Sequence, residues 1–344
     1  MPTINMFSSA DKVKGQGVGS AYIEQVNLVK NNLKEYDVNI NKLKKADITH
    51  YHTIDLKYYL GIPFAKFSGK TVGYVHFIPE TIKGSLKLPK IAEKVFFKYM
   101  IDFYKKMDYL VTVNPNFIAK LEEHGIAREK IIYIPNFVSK ERFYEFEQEK
   151  KDAVKAEYKI SKDKFVVLSA GQVQTRKGVM DFVNIAKRRP DIQFVWAGGF
   201  SFGNITAGYK ELKAVVDNPP DNVLFTGIVG REKMNDLFNM CDVYFMPSYN
   251  ELFPMAILEA MNTNTPILLR DIDVYKNILF DYYAKGDSDD EFIEIIDRLK
   301  EDCEFNDFYV EKSKEGAYYY SEENVTKLWK KFYDMTMNSL RGEN

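Results

Sequence analysis

Two glutamates eight positions apart, Glu251 and Glu259, form the most specific chemical pattern in the chain. Glu251 follows an apolar run of strand type (243–246), and Pro254 suits the first position of a helix because its missing N–H is no loss there. This order places one carboxylate beside a helix N-terminus and the second inside the helix. Free N–H groups at such an end bind phosphate, and carboxylates accept hydrogen bonds from sugar hydroxyls. The pattern predicts a site for a ligand that has both.

A nucleotide-sugar offers phosphate and hydroxyl groups together, and the N–H groups of Met255 and Ala256 would be free to bind its phosphate. The segment 251–266 resembles the E-x7-E signature of retaining family 4 glycosyltransferases in order and spacing. Leu252 and Asn264 depart from that signature, which usually has glycine there. Asn264 is the milder departure because asparagine tolerates the left-handed conformation better than other non-glycine residues. The alternative is an ordinary strand-loop-helix unit with surface glutamates.

A cationic loop lies upstream of the glutamates. The strand predicted for 165–170 leads into segment 171–178, which resembles the G-R-x-x-x-x-K-G loop of the same family. Lys177 and Arg176 have the charge needed to neutralise a diphosphate leaving group. Gln172 stands where the family usually has arginine, so Arg176 is expected to replace that phosphate contact.

A glycine-rich segment, 15–20, follows the first predicted strand, 3–7. Its spacing differs from G-x-G-x-x-G, and no acidic residue closes the following strand, so a nicotinamide dinucleotide site is not predicted. The segment resembles instead the G-G-x-G loop that borders donor phosphates and acceptor in family 4 glycosyltransferases. The resemblance implies that Gly17 contacts the donor and Gly19 the acceptor.

Polar residues end several predicted strands of the first half. Alternation of strands and helices predicts a parallel, doubly wound sheet whose ligands lie at the carboxyl ends of the strands. His52, His76 and Asn114 fall at such ends. The resemblance assigns His76 to sugar and acceptor, although Phe77 replaces the usual aspartate. Their position at strand ends makes His52 and Asn114 candidates for acceptor binding. A hydrogen-bonded structural histidine is an equal alternative for His52.

Composition sets the class of protein. With 344 residues and 45% apolar residues, the chain suits two domains. Two cysteines are too few for a disulfide framework, and a reducing, cytoplasmic setting is expected. Residues 1–140 hold 21 Lys and Arg against 13 Asp and Glu, whereas the remainder is acidic. This asymmetry indicates that the first half of the chain contacts an anionic surface. Nucleic acid is the weaker candidate for that partner.

A basic amphipathic helix with aromatics is predicted from about Pro89, with the composition of a membrane-surface element. Its lysines recur every three or four residues, and Phe96 is expected on the membrane-facing side. The candidate membrane-binding lysines are Lys83, Lys87, Lys90, Lys94 and Lys98. The alternative is a domain helix whose apolar face belongs to the core and whose lysines are solvated.

No metal site is predicted. Four scattered histidines form no cluster. Asp271 and Asp273 form a D-x-D after an apolar strand, a pattern that holds a divalent ion in another glycosyltransferase fold. The diphosphate already has cationic and helix-terminal partners here, so neither metal nor other cofactor is expected.

The resemblance implies a GT-B fold, in which two doubly wound Rossmann-like domains face each other across a cleft. The expected divisions are an acceptor-binding and membrane-associating domain at 1–145, a donor-binding domain at 146–320, and a helix at 321–344 that crosses back to the first domain. In this scheme Glu251 holds sugar hydroxyls and Glu259 the ribose, while the departing diphosphate is stabilised by Lys177 and Arg176.

The chain resembles bacterial enzymes that add a second hexose to monoglucosyl-diacylglycerol in three features: the segment V-H-F-I-P-E-T (75–81), the basic helix and the short first domain. The resemblance implies transfer of glucose or galactose from a UDP-sugar to a glycolipid at the cytoplasmic face of the membrane. A soluble transferase of capsule or teichoic-acid synthesis, a nucleotide-sugar epimerase of the same fold and a membrane-bound nucleotide-binding scaffold are the alternatives.

Overall fold

The computed structural model of the chain describes residues 1–10, 17–82, 89–201, 203, 206 and 208–342. These residues form two six-stranded parallel sheets. The strands of the first sheet are β1 (Thr3–Phe7), β2 (Asp37–Ile40), β3 (Ile48–Tyr51), β4 (Lys70–Val75), β5 (Tyr109–Thr112) and β6 (Ile131–Tyr133). Those of the second are β7 (Val166–Ala170), β8 (Gln193–Ala197), β9 (Val223–Gly227), β10 (Val243–Met246), β11 (Ile267–Arg270) and β12 (Ala284–Gly286).

Helices connect and cover these strands. The first sheet is accompanied by α1 (Gly17–Asn32), α2 (Leu56–Ser68), α3 (Pro79–Ile82), α4 (Lys90–Lys105) and α5 (Asn116–Glu123). The rest of the chain contains α6 (Gln148–Glu157), α7 (Val179–Arg188), α8 (Tyr209–Asp217), α9 (Arg231–Met240), α10 (Met255–Asn262), α11 (Asp273–Lys276), α12 (Asp289–Glu301), α13 (Cys303–Tyr319) and α14 (Glu322–Arg341).

Both sheets are doubly wound, as predicted. The strand orders are β2-β1-β3-β4-β5-β6 and β12-β11-β10-β7-β8-β9, so each chain path starts inside its sheet and reverses direction once. Right-handed crossovers then place helices on both faces, and the strand ends at each reversal leave a crevice for ligands. Strand β10 is completely buried, which explains why its sequence is a continuous apolar run.

The last helix returns from the second sheet to the first. In α14 the hydroxyl of Tyr333 lies 3.1 Å from Nδ1 of His50, and Asp334 accepts a 2.6 Å hydrogen bond from Tyr36. Trp329, also in α14, is 1% exposed and packs on His50 and Tyr74. An apolar cluster that includes α14 extends into both sheets, so the two halves share a core on this side.

Two helix starts differ from the prediction. Helix α1 begins at Gly17, so Gly17 and Gly19 lie in its first turn and not in a loop before it, while residues 11–16 lie outside the described range. Glycine costs about 1 kcal/mol in a helix relative to alanine, a penalty that burial of the following Ala21 and Tyr22 offsets. Pro254 has ψ 130° and precedes the first helical residue, Met255.

No described helix combines the length and the low charge needed to cross a bilayer.

Candidate active site

The cationic loop and the first glutamate meet at the carboxyl ends of β7 and β10. The ammonium Nζ of Lys177 donates a hydrogen bond to Oε1 of Glu251, and Nη1 of Arg176 lies 3.7 Å from the same oxygen. Glu251 is 7% exposed and Lys177 is 9% exposed, whereas Arg176 is half-buried. Two cations and one carboxylate therefore form a cluster with net positive charge, which suits a diphosphate.

The charges of this cluster depend on one another. Burial alone would raise the pKa of Glu251, but the charges of Lys177 and Arg176 hold it below its usual value. Burial lowers the pKa of Lys177, against the opposing effect of the Glu251 carboxylate. The carboxylate thus compensates a lysine that would otherwise be costly to keep charged in a buried position.

Local backbone geometry brings the two segments together. Gly178 has φ 72°, and a Cβ there would lie 2.4 Å from the carbonyl oxygen of Pro247. Only glycine meets both conditions without strain. The N–H of Tyr249 donates a 2.8 Å hydrogen bond to the carbonyl of Arg176, which ties the cationic loop to the loop that carries Glu251.

Gln172 belongs to the same network. Its Oε1 accepts a 2.6 Å hydrogen bond from Gln174, whose own Oε1 accepts a 3.0 Å bond from Nε of Arg176. Nη1 of Arg176 donates to the carbonyl of Asn250 at 2.9 Å. The guanidinium is thereby fixed beside Glu251, and the phosphate contact expected of it in place of Gln172 stays a prediction.

Helix α10 starts directly after this loop. Its first residues, Met255 and Ala256, have N–H groups that lack partners inside the helix, as in any first turn, and no side chain of Pro254 caps them. The positive end of the helix therefore adds to the positive charge of Lys177 and Arg176 in this part of the molecule. Past its end, Asn264 has φ 58°, which confirms the left-handed conformation expected there.

The second glutamate is buried among opposing charges. Glu259 is 6% exposed, and burial raises its pKa to about 7, although the charge of Arg231 partly opposes this. Arg231, at the start of α9, donates to the carboxylate of Glu24 at 2.5 Å and to the carbonyl of Ser20 at 3.2 Å. Sequence reasoning missed both Glu24 and Arg231, because their contact joins α1 to α9 across more than 200 residues.

Two asparagines that follow strands β5 and β6 of the first sheet hold the loop after β10, which carries Glu251. Nδ2 of Asn114 donates to the carbonyl of Leu252 at 2.8 Å, and Nδ2 of Asn136 donates to the carbonyl of Phe253 at 3.3 Å. Asn114 is completely buried and its Oδ1 accepts from the N–H of Asn116. Direct contact with an acceptor would require these bonds to open, so the structure gives Asn114 a positioning role beside Glu251.

Three histidines form a buried row at the ends of β3 and β4. Ring centroids are 4.4 Å apart for His50 and His52 and 6.0 Å apart for His52 and His76. Burial lowers the pKa of His76 to about 3 and that of His52 well below its usual value, so both rings are neutral near pH 7. Within the described residues, Nε2 of His76 and both ring nitrogens of His52 have no hydrogen-bond partner. Neutral imidazoles with free nitrogens suit sugar hydroxyls better than phosphate.

The basic helix is α4, and the described part shows three of the five candidate lysines. Lys90, Lys94 and Lys98 are exposed along one face, while Lys83 and Lys87 lie outside the described residues. Phe96 is half-buried and packs in part against the apolar core, and its contact with a membrane stays a prediction. Its position on the helix turns it toward the side that carries the buried Met100 and Phe103.

The two D-x-D residues both pair with exposed lysines. Asp271 pairs with Lys285 at 3.1 Å, and Asp273, which is almost fully exposed, pairs with Lys276 at 2.7 Å. Across the described ranges, no group of three or more His, Cys, Asp or Glu residues surrounds a common point.

Family models match most of the chain. The model "Glycosyl transferases group 1" matches residues 150–316, and "Glycosyltransferase Family 4" matches residues 17–142. Alpha-galactosylglucosyldiacylglycerol synthase of Streptococcus pneumoniae is 45% identical over 332 residues, which cover 96% of this chain and 89% of that protein. The chain belongs to the group 1 glycosyl transferases. This glycosyltransferase is also 26% identical to the processive diacylglycerol alpha-glucosyltransferase of Acholeplasma laidlawii, over 65% of its own chain and 67% of the relative.

Solved structures share the architecture. HepE of Anabaena, in complex with UDP and glucose, superposes with a TM-score of 0.77 at 14% identity and covers 97% of this glycosyltransferase and 100% of that chain. Sucrose-phosphate synthase of Thermosynechococcus elongatus gives a TM-score of 0.80 at 14% identity, with 98% and 100% coverage. The GT-B fold is thereby confirmed.

Glu259→Gln should weaken binding of UDP-glucose at pH 8 by about 1–3 kcal/mol, because the charge-assisted hydrogen bond expected with the ribose hydroxyls would become a neutral one. The wild type should lose affinity as pH falls below about 7, by up to about tenfold per pH unit, since the carboxylate must give up its proton to accept from a hydroxyl. Calorimetry between pH 6 and 8 checks both expectations. The exposed Glu294→Gln is the control.

The same variant should have the opposite effect on stability. A folded-state pKa above the usual 4.5 means that ionisation of Glu259 opposes folding. The contribution of Glu259 to the free energy of unfolding is therefore favourable at low pH and is lost as pH rises through about 7. Without donor at pH 8, Glu259→Gln should therefore melt at a higher temperature than the wild type. Affinity that is independent of pH in both proteins would remove Glu259 from the donor site.

Proposed function

We propose that this glycosyltransferase moves a glucose or galactose residue from a UDP-sugar to monoglucosyl-diacylglycerol, with retention of configuration, to give a diglycosyl-diacylglycerol. The use of a UDP-sugar as donor is supported by the cluster of Lys177, Arg176 and Glu251 at the start of α10. The use of a glycolipid as acceptor is supported by the relatives of similar sequence, whose names specify diacylglycerol products or acceptors.

The geometry indicates how these residues would act on a UDP-sugar. The diphosphate would lie between the two cations and the first turn of α10, where charge that develops on the leaving group meets preorganised positive groups. Glu251, already oriented by Lys177, would accept from sugar hydroxyls, and Glu259 from those of the ribose. Neutral His76 would orient the sugar and the acceptor hydroxyl.

No side chain in this arrangement is assigned as a covalent nucleophile. We propose that the transfer retains configuration through a front-face mechanism. The acceptor oxygen then bonds to the anomeric carbon on the side from which the diphosphate departs. The acceptor hydroxyl would pass its proton to the leaving phosphate oxygen. Lys177 and Arg176 would stabilise the charge that remains on the diphosphate.

The acceptor is proposed to reach the cleft from an anionic membrane at the cytoplasmic face of the cell. The first half of the chain carries the excess of basic residues, and α4 exposes Lys90, Lys94 and Lys98 on one side. Each lysine near an anionic leaflet contributes about 1 kcal/mol to binding. A peripheral enzyme could thus hold its first domain against lipid headgroups.

Release of UDP from UDP-glucose and from UDP-galactose, with and without monoglucosyl-diacylglycerol, tests the proposal. We expect release that depends on the acceptor, and a product whose new linkage has the α configuration by NMR. Sugar conversion without acceptor would favour an epimerase. Transfer to a water-soluble acceptor, combined with failure to sediment with anionic liposomes, would favour a soluble transferase.

A chelator should leave the rate of transfer largely unchanged. The proposed partners of the diphosphate are Lys177, Arg176 and the helix N-terminus, which supply positive charge without an ion. Activity measured with excess EDTA, and again after Mg²⁺ or Mn²⁺ is restored, checks this expectation. Complete loss that either ion reverses would reassign Asp271 and Asp273 to the site.

A further inference from the structure

Helix α2 carries an apolar stripe on its outer surface. The exposed fractions are 62% for Leu56, 71% for Leu60, 53% for Phe64 and 83% for Phe67. A spacing of three or four residues places these side chains on one face of the helix. We call these four residues the α2 stripe.

The opposite face of α2 is apolar as well. Tyr58, Ile62 and Ala65 are buried against the first sheet. A helix on the surface of a soluble domain normally has a polar outer face, so an outer face of leucine and phenylalanine requires a separate explanation. Helix α2 contains no acidic residue, and its two lysines, Lys57 and Lys66, are both exposed.

Helix α4 extends the apolar surface. It packs beside α2, since the rings of Tyr59 and Tyr99 lie 5.3 Å apart and the Tyr99 hydroxyl donates to the carbonyl of Ile54. Val95 lies one turn before Tyr99, on the flank of α4 that faces α2, and is 64% exposed. Ile91, one further turn back, is 80% exposed.

A basic loop lies near the start of α2. Asn41, which follows β2, accepts a 3.1 Å hydrogen bond from the hydroxyl of Tyr58 in α2. The next residues are Lys42, Leu43, Lys44 and Lys45, all exposed, and Leu43 is 83% exposed. Exposed lysines of this loop, of α2 and of α4 therefore accompany the apolar side chains.

We propose that the α2 stripe, with Leu43, Ile91 and Val95, inserts into the headgroup and acyl boundary of an anionic bilayer. The proposal rests on the proposed function only for the choice of a lipid surface, and it assigns the contact to α2 and the loop after β2 in addition to α4. Apolar side chains surrounded by lysines match a bilayer, which presents negative charge outside and hydrocarbon beneath.

A second copy of the chain is a poorer occupant of this surface. Two copies related by a two-fold axis would each present the same patch, so the lysines of one would face the lysines of the other. Like charges brought together in this way oppose association, whereas an anionic leaflet favours it.

The surface is well placed for a membrane acceptor. In a parallel sheet each crossover helix starts near the carboxyl end of the preceding strand, which is the edge that faces the cleft. Helix α2 begins four residues after His52, and its preceding residue Asp55 accepts hydrogen bonds from Ser9 and Thr53 at the same edge. Insertion of the stripe would therefore hold this edge of the cleft close to the headgroups.

The double variant Leu60→Ser with Phe67→Ser tests the proposal. Both side chains are exposed, so folding should not change, and Phe308→Ser with Tyr318→Ser on α13 is the matched control. Sedimentation uses vesicles of phosphatidylglycerol and phosphatidylcholine at 0.1 M and 1 M NaCl. We expect binding at 1 M NaCl, where lysines are screened, to fall by about tenfold or more in the stripe variant alone. Equal binding by both variants would overturn the proposal.

A reporter variant gives a positive readout. Trp196 and Trp329 are each 1% exposed, so Phe67→Trp adds one exposed indole, and Tyr318→Trp is its control. On addition of the vesicles, the emission of Phe67→Trp should shift to the blue and be quenched by brominated lipid, while the control should change little. A concentration-dependent dimer in the absence of lipid, abolished by the stripe variant, would instead assign the surface to a second copy.

Failure of this inference is distinguishable from failure of the proposed function. With monoglucosyl-diacylglycerol in detergent micelles, acceptor-dependent UDP release should be the same in the stripe variant and the wild type, while transfer in vesicles should fall. Loss of activity by the stripe variant in micelles as well would give the stripe a structural role and contradict the inference. Absence of acceptor-dependent release in every protein would contradict the proposed function alone.

Discussion

Lys177→Ala should lower kcat by about 10²–10³-fold, because the charge that Lys177 meets on the diphosphate grows as the bond to the sugar breaks. The position supports this expectation: Lys177 is almost fully buried, and its ammonium contacts Glu251 beside the first turn of α10. The KM for the glycolipid should change much less. Initial rates over a range of acceptor concentrations, at saturating UDP-sugar, measure both quantities.

Folding must be separated from catalysis in this experiment. Removing Lys177 leaves the buried Glu251 with only the more distant Arg176, and breaking a buried ion pair typically destabilises a protein by about 3–5 kcal/mol. The double variant Lys177→Met with Glu251→Gln removes both charges and should recover the stability without recovering kcat. Lys187→Ala, an exposed lysine of α7, controls for the loss of one positive charge. A defect confined to acceptor KM would contradict the role at the diphosphate.

The sequence was sufficient for most of the fold because buried parallel strands are continuous apolar runs. Residues 243–246 were predicted as a strand and coincide with β10, all four residues of which are buried. Strand β2 was missed, since Asp37–Ile40 is a partly exposed edge strand with two polar residues among four. Helix starts shifted by up to several residues where glycine or proline precedes the apolar pattern, as at Gly17 and Pro254.

The candidate site was predicted where its chemistry lies within one continuous segment. The spacing of Glu251 and Glu259 and the charge of Lys177 are visible in the sequence without tertiary information. The hydrogen bond of Asn136 to the carbonyl of Phe253 is not, because it joins positions 117 residues apart across two sheets. The contact of Arg231 with Glu24 was hidden for the same reason. Such contacts decide how the halves of the site are held together.

The membrane surface shows a different kind of difficulty. A helix that is apolar on both faces, as α2 is, has the sequence of a fully buried helix, and only the structure shows that Leu60 and Phe67 face outward. In α4 the exposure of Lys90, Lys94 and Lys98 agrees with the predicted pattern, whereas Phe96 is half-buried against the core. Side-chain exposure depends on which neighbours cover a helix, and the helical period alone does not specify them.

Reversing three charges on α4 should nearly abolish binding to anionic vesicles at low salt. Each of Lys90, Lys94 and Lys98 is exposed, and each contributes about 1 kcal/mol near an anionic leaflet. Replacement by glutamate turns attraction into repulsion, so the change for three residues is about 6 kcal/mol, or on the order of 10⁴-fold in the partition coefficient. Vesicle sedimentation at 0.1 M NaCl measures it.

The effect should shrink as salt rises, because the screening length falls from about 10 Å at 0.1 M to about 3 Å at 1 M. Calorimetric affinity for UDP-glucose should remain unchanged, since the proposed donor site lies at the second sheet. Reversal of the exposed Lys162, Lys187 and Lys210 changes the net charge equally and should retain vesicle binding. If both triple variants lose binding to the same extent, overall charge is responsible; if the α4 variant sediments like the wild type, its lysines are merely solvated and the lipid acceptor loses its electrostatic support.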